Sequence, residues 1–315
     1  MKSTLLGAKH IVSTCMAIRK GENVLIVTDP LRMKIGEVIS NAARAVGAKT
    51  TLICMPVGIR HGDEPPKFVA TVMRSFDAVI LPTTFSLTHT QARRRASEAG
   101  ARIATMPMIT ERMMRSGGML ADYRKVMRLT RKVAHEINDA SLVEVTTRAG
   151  TDLRFSVSGR MAHPDTGLFH KPGDWGNLPA GEAFVAPLEG TGEGNVVVDG
   201  SMVDNFMGEI DISFKKGRAV EILGGPAKRL LKILKAAGRR AGNLAEFGVG
   251  ANPWARLIGN VLEDEKVLGT CHIALGDNST FGGHVRAGVH VDGIFKRPTV
   301  TLDKKVLMEE GRLKV

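Results

Sequence analysis

A chain of 315 residues with 43% hydrophobic content has enough apolar material for one large domain or two. Its formal net charge of +12 comes with a single tyrosine and 4% aromatic residues, which excludes the aromatic platforms of single-strand binders. No apolar run approaches the roughly 18 residues of a membrane span. Three scattered cysteines, Cys15, Cys54 and Cys271, exclude a disulfide framework and fit a reducing cytoplasm.

The opening stretch MKSTLLGAKHIVSTCMAIRKGENVLIV is broken by Lys9 and His10 and has no small-residue cleavage site. It is expected as a helix leading into a strand, not as a signal peptide. NVLIVTD, TTLICMP, DAVILPT and ARIATMP then read as short strands rich in Val and Ile. MKIGEVISNAARAVGAK, PPKFVATVMRSF and THTQARRRASEAG between them have helical spacing. Strands alternating with helices predict an open parallel α/β domain over residues 1–138, with right-handed crossovers. The turn DPLRMKIG after the first strand carries neither G-x-G-x-x-G nor a P-loop, so a Rossmann-like shape does not imply a dinucleotide. Residues 91–135 hold the densest positive charge. The charges fall at helical spacing without a reading motif, so solvated helix faces are expected and nucleic-acid binding is not.

Beyond the basic helix DYRKVMRLTRKVAHEIND the texture changes. SLVEVTTRAGTDLRFSVSG reads as two strands around a glycine turn, and EIDISFKKGRAVEILGG as a hairpin turning at KKGR. PAKRLLKILKAAGRRAG is an amphipathic helix expected to lie across a sheet. A β-rich α+β domain is therefore expected over residues 139–315, and it is there that candidate metal ligands collect. His163 and His170 lie in a loop rich in Gly, Pro and Asp; they and Trp175 are candidates for lining a pocket, with a plain structural loop as the alternative.

The stretch GTCHIALGDNSTFGGHVRAGVHVDG, residues 269–293, contains His272, His290 and Asp292. In an extended segment His290 and Asp292 share a face. Two histidines and one carboxylate bind Fe(II) in non-haem oxygenases and Zn in hydrolases; the alternative is a pair of histidines satisfied by hydrogen bonds at a sheet edge. Glu182, in GNLPAGEAFVAP, and Glu246, in NLAEFGVGANP, are carboxylates among small and apolar neighbours. Such carboxylates are costly to bury unless paired or bound to a cation. Cys271, next to His272, is expected on the opposite face of its strand.

LPAGEAFVAP, AEFGVGAN, GTCHIALGDN and GVHVDG resemble, in order, the motifs of the thermophilic metalloaminopeptidases: aminopeptidases T, S and II. The resemblance covers most of the second domain and, more loosely, the first. It implies that Glu182, Glu246, His272, His290 and Asp292 hold two divalent ions (Zn, Co, Mg or Mn) in a cytoplasmic homodimer that acts on a peptide or small amide. Five side chains suffice for two ions if a carboxylate and a water bridge them, and Glu182 or Glu246 is then the proton relay. The chain is shorter than usual members. It also lacks the family's tyrosine after the third-motif histidine, offering only Asp277, Asn278, Ser279 and His284 there. Pyridine-ring dioxygenases resemble the same family and use Fe(II), for which His272, His290 and Asp292 are enough. The expected function is a metal-dependent aminopeptidase, with that dioxygenase as the alternative.

Overall fold

The computed structural model describes residues 3–202 and 206–315, so the first two residues of the expected N-terminal helix lie outside it. Two compact units are formed: Met1–Arg124 with Thr166–Ala180, and Lys125–Asp165 with Gly181–Val315.

The first unit carries five parallel strands in the order Lys49–Cys54, Asn23–Thr28, Ala78–Leu81, Arg102–Thr105 and Trp175–Asn177. The central strands are continuous apolar runs because they are buried on both faces. Leu25, Val27, Val79 and Leu81 pack with Val69, Met73, Ala92 and Ala96 from the intervening helices. Val24, Ile26 and Ile80, pointing the other way, are equally buried. Helix Gln91–Glu98 starts where Thr90 Oγ1 accepts the Arg93 amide at 3.2 Å. One member of its arginine triplet departs from the expectation of a solvated face. Arg93 is buried, donates to Thr88 O at 2.7 Å and lies 3.7 Å over the Trp175 ring; burial lowers its pKa to about 10.

The units are more interleaved than a border at residue 138 implies. Helix Tyr123–Asn138 sends Val133, Ala134 and Ile137 into the core of the second unit. Residues 166–180 return to the first unit, where Trp175–Asn177 adds the fifth strand beside Arg102–Thr105. The second unit is built from two antiparallel sheets. One runs Arg218–Gly224, Ile210–Lys215, Glu193–Val198, Asp152–Ser156, Leu142–Thr146, Thr299–Leu302, Lys305–Glu309 and Arg312–Leu313. Its expected hairpin turns at Lys216 and Gly217, both with positive φ, as a tight two-residue turn needs.

The other sheet runs Phe206–Met207, Ser201–Met202, His290–Lys296, Thr270–Gly276, Leu244–Gly250, Glu182–Val185 and His163–Asp165. A shared core lies between the sheets. Val143, Leu153 and Phe155 from the first meet Phe247, Val249, Cys271, Ile273 and Phe295 from the second, with the Phe155 and Phe247 rings 5.2 Å apart. Replacing Phe155 by Ala should lower the stability of this unit by about 3–5 kcal/mol, as phenylalanine truncation in a packed core does. A urea titration checks this; a loss under about 1 kcal/mol would mean that the sheets are not held together here.

Candidate metal centre

The seven-stranded sheet has one face for the core and one for the charges. Cys271, Ile273 and Leu275 point into the core, so His272 and Ala274 point the other way. Val291 and Phe295 do the same for His290 and Asp292, and Ala183 and Val185 for Glu182. Glu246 needs a further device. Leu244 is a core residue, and in a regular strand Glu246, two positions on, would share its face. The pairing with Thr270–Gly276 slips between them: Leu244 pairs Leu275, but Glu246 pairs Ala274. This bulge inserts Ala245 and turns Glu246 to the charged side, leaving Phe247 for the core.

Small residues open the floor of the site. Ala274 is flanked by Glu246 on one neighbouring strand and Asp292 on the other. Gly248 stands opposite His272, and a Cβ there would lie 2.1 Å from His272 Nε2. The imidazole thus lies where any side chain on Gly248 would be.

All five residues expected from sequence meet on this face. His272 Nε2 is 3.1 Å from Glu246 Oε1 and 3.3 Å from Glu182 Oε2. His290 Nε2 is 3.3 Å from Glu246 Oε2 and 3.2 Å from Asp292 Oδ1. Glu246 therefore sits between the two histidines. His290 Nδ1 donates to the Asp277 carbonyl at 2.8 Å, which fixes the ring with Nε2 toward the carboxylates. Three overlapping sets have their ligand atoms within 4.8 Å of one another: Glu182, Glu246 and His272; Glu246, His290 and Asp292; Glu265, His272 and Asp292.

Glu265 and Lys266 belong to the site without having been singled out from sequence. Both come from the run EDEK, four consecutive charges of a kind that ordinarily faces water. All four of its residues are buried. Asp264 accepts the Ile258 and Gly259 amides at 2.7 and 3.0 Å, fastening the preceding loop. Lys266 Nζ donates to Glu182 Oε1 at 2.5 Å and to Glu265 Oε1 at 2.6 Å. The available signal was four consecutive charges between apolar neighbours, in NVLEDEKVLG.

Other candidates find other employment. Asn278 is buried and holds its loop, accepting the Val285 amide at 2.8 Å and donating to Glu189 at 2.9 Å. Asp277 accepts the Ser279 and Ala287 amides at 2.9 Å each, and His284 is exposed. Cys271 faces the core, where burial pushes its thiol well up. Trp175 and His170 belong to the first unit, with His170 Nε2 2.8 Å from the Thr14 carbonyl. His163 stays with the site sheet: strand His163–Asp165 pairs with Glu182–Val185, and its ring stacks on Phe184 at 5.4 Å.

Electrostatics fit this donor set to a divalent cation. Burial opposes charge on His272, His290, Glu246 and Asp292, and mutual pairing overrides it at these four. The His272 pKa is lowered by burial but raised more by its hydrogen bond to Glu246 and by the charges of Glu182, Glu246 and Glu265, reaching about 9. His290 is likewise held well above the usual range, burial being outweighed by Asp292 and Glu246. Glu246 lies well below the carboxylate range despite burial, because both histidines hydrogen-bond to it. Glu265 goes the other way, to about 8: burial raises it, Lys266 opposes, and Glu182 and Asp292 raise it further. In the metal-free protein, protons on two histidines carry the positive charge that the carboxylates demand. A divalent ion would take their place. Two buried atoms, Glu182 Oε2 and His272 Nδ1, have no hydrogen-bond partner among the described residues; that on Glu182 is a lone-pair donor aimed at the cluster.

Fold and site thus present a buried carboxylate–histidine cluster with the donor set of a divalent-metal enzyme. A model of the NicX family, 2,5-dihydroxypyridine 5,6-dioxygenase, matches residues 8–315, and the chain belongs to that family. A 2,5-dihydroxypyridine 5,6-dioxygenase of Pseudomonas putida KT2440 is 24% identical over 288 residues, covering 86% of this chain and 79% of that protein. The solved structure of 2,5-dihydroxypyridine dioxygenase from the same strain superposes with a TM-score of 0.83 at 18% identity, over 99% of this chain and 97% of that one. Wild-type AmpT from Thermus thermophilus superposes at 0.73 with 17% identity, over 99% of each chain. At such identities the two structures show the shared fold alone.

The family match overturns the expectation of an aminopeptidase, and with it the hydrolase and protease reading. The two solved structures share this chain's fold, and a fold does not by itself set the reaction. Nor do two extra carboxylates call for hydrolysis, since Glu182 is already paired with Lys266.

Two outcomes are expected. Gly248→Ala should displace His272 and weaken divalent-metal binding by at least about 10-fold, the low end for changes around a ligand, while the circular dichroism spectrum stays the same; undiminished affinity would remove His272 from the site. In metal-free protein, His272 at about 9 against 6.5 unfolded contributes stability that is complete below about pH 6.5 and lost as pH rises through about 9. The melting temperature should fall across that window while metal affinity climbs. A flat melting profile from pH 6.5 to 9 would show that His272 is not held protonated.

Proposed function

We propose that this protein is an Fe(II)-dependent dioxygenase that opens a dihydroxylated pyridine-type ring, with His272, His290 and Asp292 as the iron-holding residues. The observation that carries this reading is a chain of flat rings adjoining the charged cluster. His290 packs edge-on against Phe281 at 5.7 Å, Phe281 edge-on against Phe184 at 5.5 Å, and Phe184 stacks with His163 at 5.4 Å. Such a wall suits an aromatic substrate, whose ring gains from offset or edge-on contacts. Two histidines and one carboxylate are the set that holds ferrous iron with positions left open.

A ferrous ion, when bound, supplies the activation of dioxygen that ring opening requires. The chain's own part is to orient the ring and handle its hydroxyl protons. Glu246, held ionised between the histidines, neutralises and positions the cluster. Glu182, tied to Lys266, does the same from the neighbouring strand. Together they orient the centre, a role different from the proton relay expected of a peptidase. His163, its pKa lowered by burial, is neutral at neutral pH and is the group available to accept a ring hydroxyl proton.

The test is oxygen consumption by anaerobically iron-loaded protein given 2,5-dihydroxypyridine, with ring loss followed by ultraviolet absorbance. Equal uptake and ring loss are expected. Asp292→Asn should abolish more than about 100-fold of the rate, since even outer-shell changes remove roughly 10–100-fold. Iron-loaded protein that consumes no oxygen with a panel of dihydroxylated pyridines and catechols would overturn the reading.

A further inference from the structure

We propose that Lys266 fills the place of a second cation, so that the centre holds a single divalent ion although its carboxylates are numerous enough for two. Glu182, Glu246, Glu265 and Asp292 all contribute to sets of close ligand atoms. In a two-metal centre, bridging oxygens hold two ions roughly 3.5–4 Å apart. Here one such position is taken by an ammonium group. Lys266 Nζ contacts Glu182 Oε1 at 2.5 Å and Glu265 Oε1 at 2.6 Å, and its side chain is 0% exposed.

The lysine has nowhere else to go. It follows the short helix Val261–Asp264, and its amide donates to Glu263 O at 3.1 Å. Its carbonyl accepts the Asn252 amide at 2.9 Å, which ties it to the end of the Glu246 strand. A lysine on a surface loop swings into water when a metal arrives; one sealed on both sides of its backbone and carrying no exposed atoms does not. A second divalent ion beside it would meet a like charge at contact range in a buried setting, where such repulsion is strongest. It would also have to compete for a Glu182 oxygen that already accepts a charge-assisted hydrogen bond. Lys266 is thus a positioning residue: it sets metal number and the orientation of Glu182 without touching the ion.

The inference rests on the metal-holding part of the proposed function and not on ring opening. Its test is therefore a count: Mn(II) titrated into chelator-treated full-length protein, bound metal measured by equilibrium dialysis, and the bound species by electron paramagnetic resonance. Wild type should bind about one equivalent with the six-line spectrum of an isolated ion, and Lys266→Ala should bind about two with the signature of a coupled pair. Lys266→Met, which fills the space without the charge, should remain at about one. Two equivalents in wild type, or one in Lys266→Ala, would overturn the role of Lys266 while leaving the metal centre standing. No binding by folded wild type would sink the centre itself. Should Lys266→Ala fail to fold, Lys266→Ser, which also empties the position, is read by the same count, and the wild-type stoichiometry tests the proposal alone.

Discussion

Glu246 lies between His272 and His290, within 3.3 Å of a nitrogen of each, and the arrangement of the second unit follows from keeping it there. A carboxylate among other buried carboxylates is tolerable only where cations or protons face it. The two histidines meet that demand from adjoining strands, and Lys266 meets it for Glu182 and Glu265. The glycine opposite His272 and the alanine between Glu246 and Asp292 keep the floor low enough for those contacts. On the reverse of the same three strands, Phe247, Cys271, Ile273 and Phe295 fill the core. One sheet therefore meets two incompatible surroundings, and alternation of side chains, shifted once by the bulge at Ala245, keeps them apart.

Much of this was legible in the chain. The parallel unit declared itself through apolar runs separated by helical spacing, and the five candidate ligands through carboxylates and histidines set among glycines and small residues. What stayed hidden depended on distant partners. The bulge at Ala245 changes which way Glu246 points, yet LAEFGVG carries no mark of it; it exists only relative to the pairing with Thr270–Gly276. Strands His163–Asp165 and Trp175–Asn177 are three residues long, too short for any periodicity, and exist because an existing sheet edge accepts them. The EDEK run stayed hidden because charge ordinarily means water. Its burial depends on Asn252, Glu182 and the amides around Ile258, none of them adjacent in sequence.

The misreading of the activity has a physical basis too. The motifs around Glu182, Glu246, His272 and His290 describe a sheet face, and a sheet face specifies where ligands stand but not what reacts there. Around the cluster stand an ammonium beside Glu182 and a row of rings from Phe184, Phe281 and His163, and it is on these that the proposed reaction rests. Those features are spread over separate segments of the chain and carry no compact signature.

The return of residues 166–180 to the first unit has a bearing on how the chain is made. Leaving the ribosome, residues 1–124 hold four of the five parallel strands, and the edge at Arg102–Thr105 waits for Trp175–Asn177 before it is covered. The first strand of the second unit, Leu142–Thr146, waits longer still for one of its neighbours, Thr299–Leu302, which follows far later in the chain. Neither unit is a contiguous cassette. A cut at the linear midpoint, or a fusion that borrows only the N-terminal half, strands an open sheet edge of the kind that recruits other chains, and the nascent protein has to keep that edge from foreign partners until its own strand arrives.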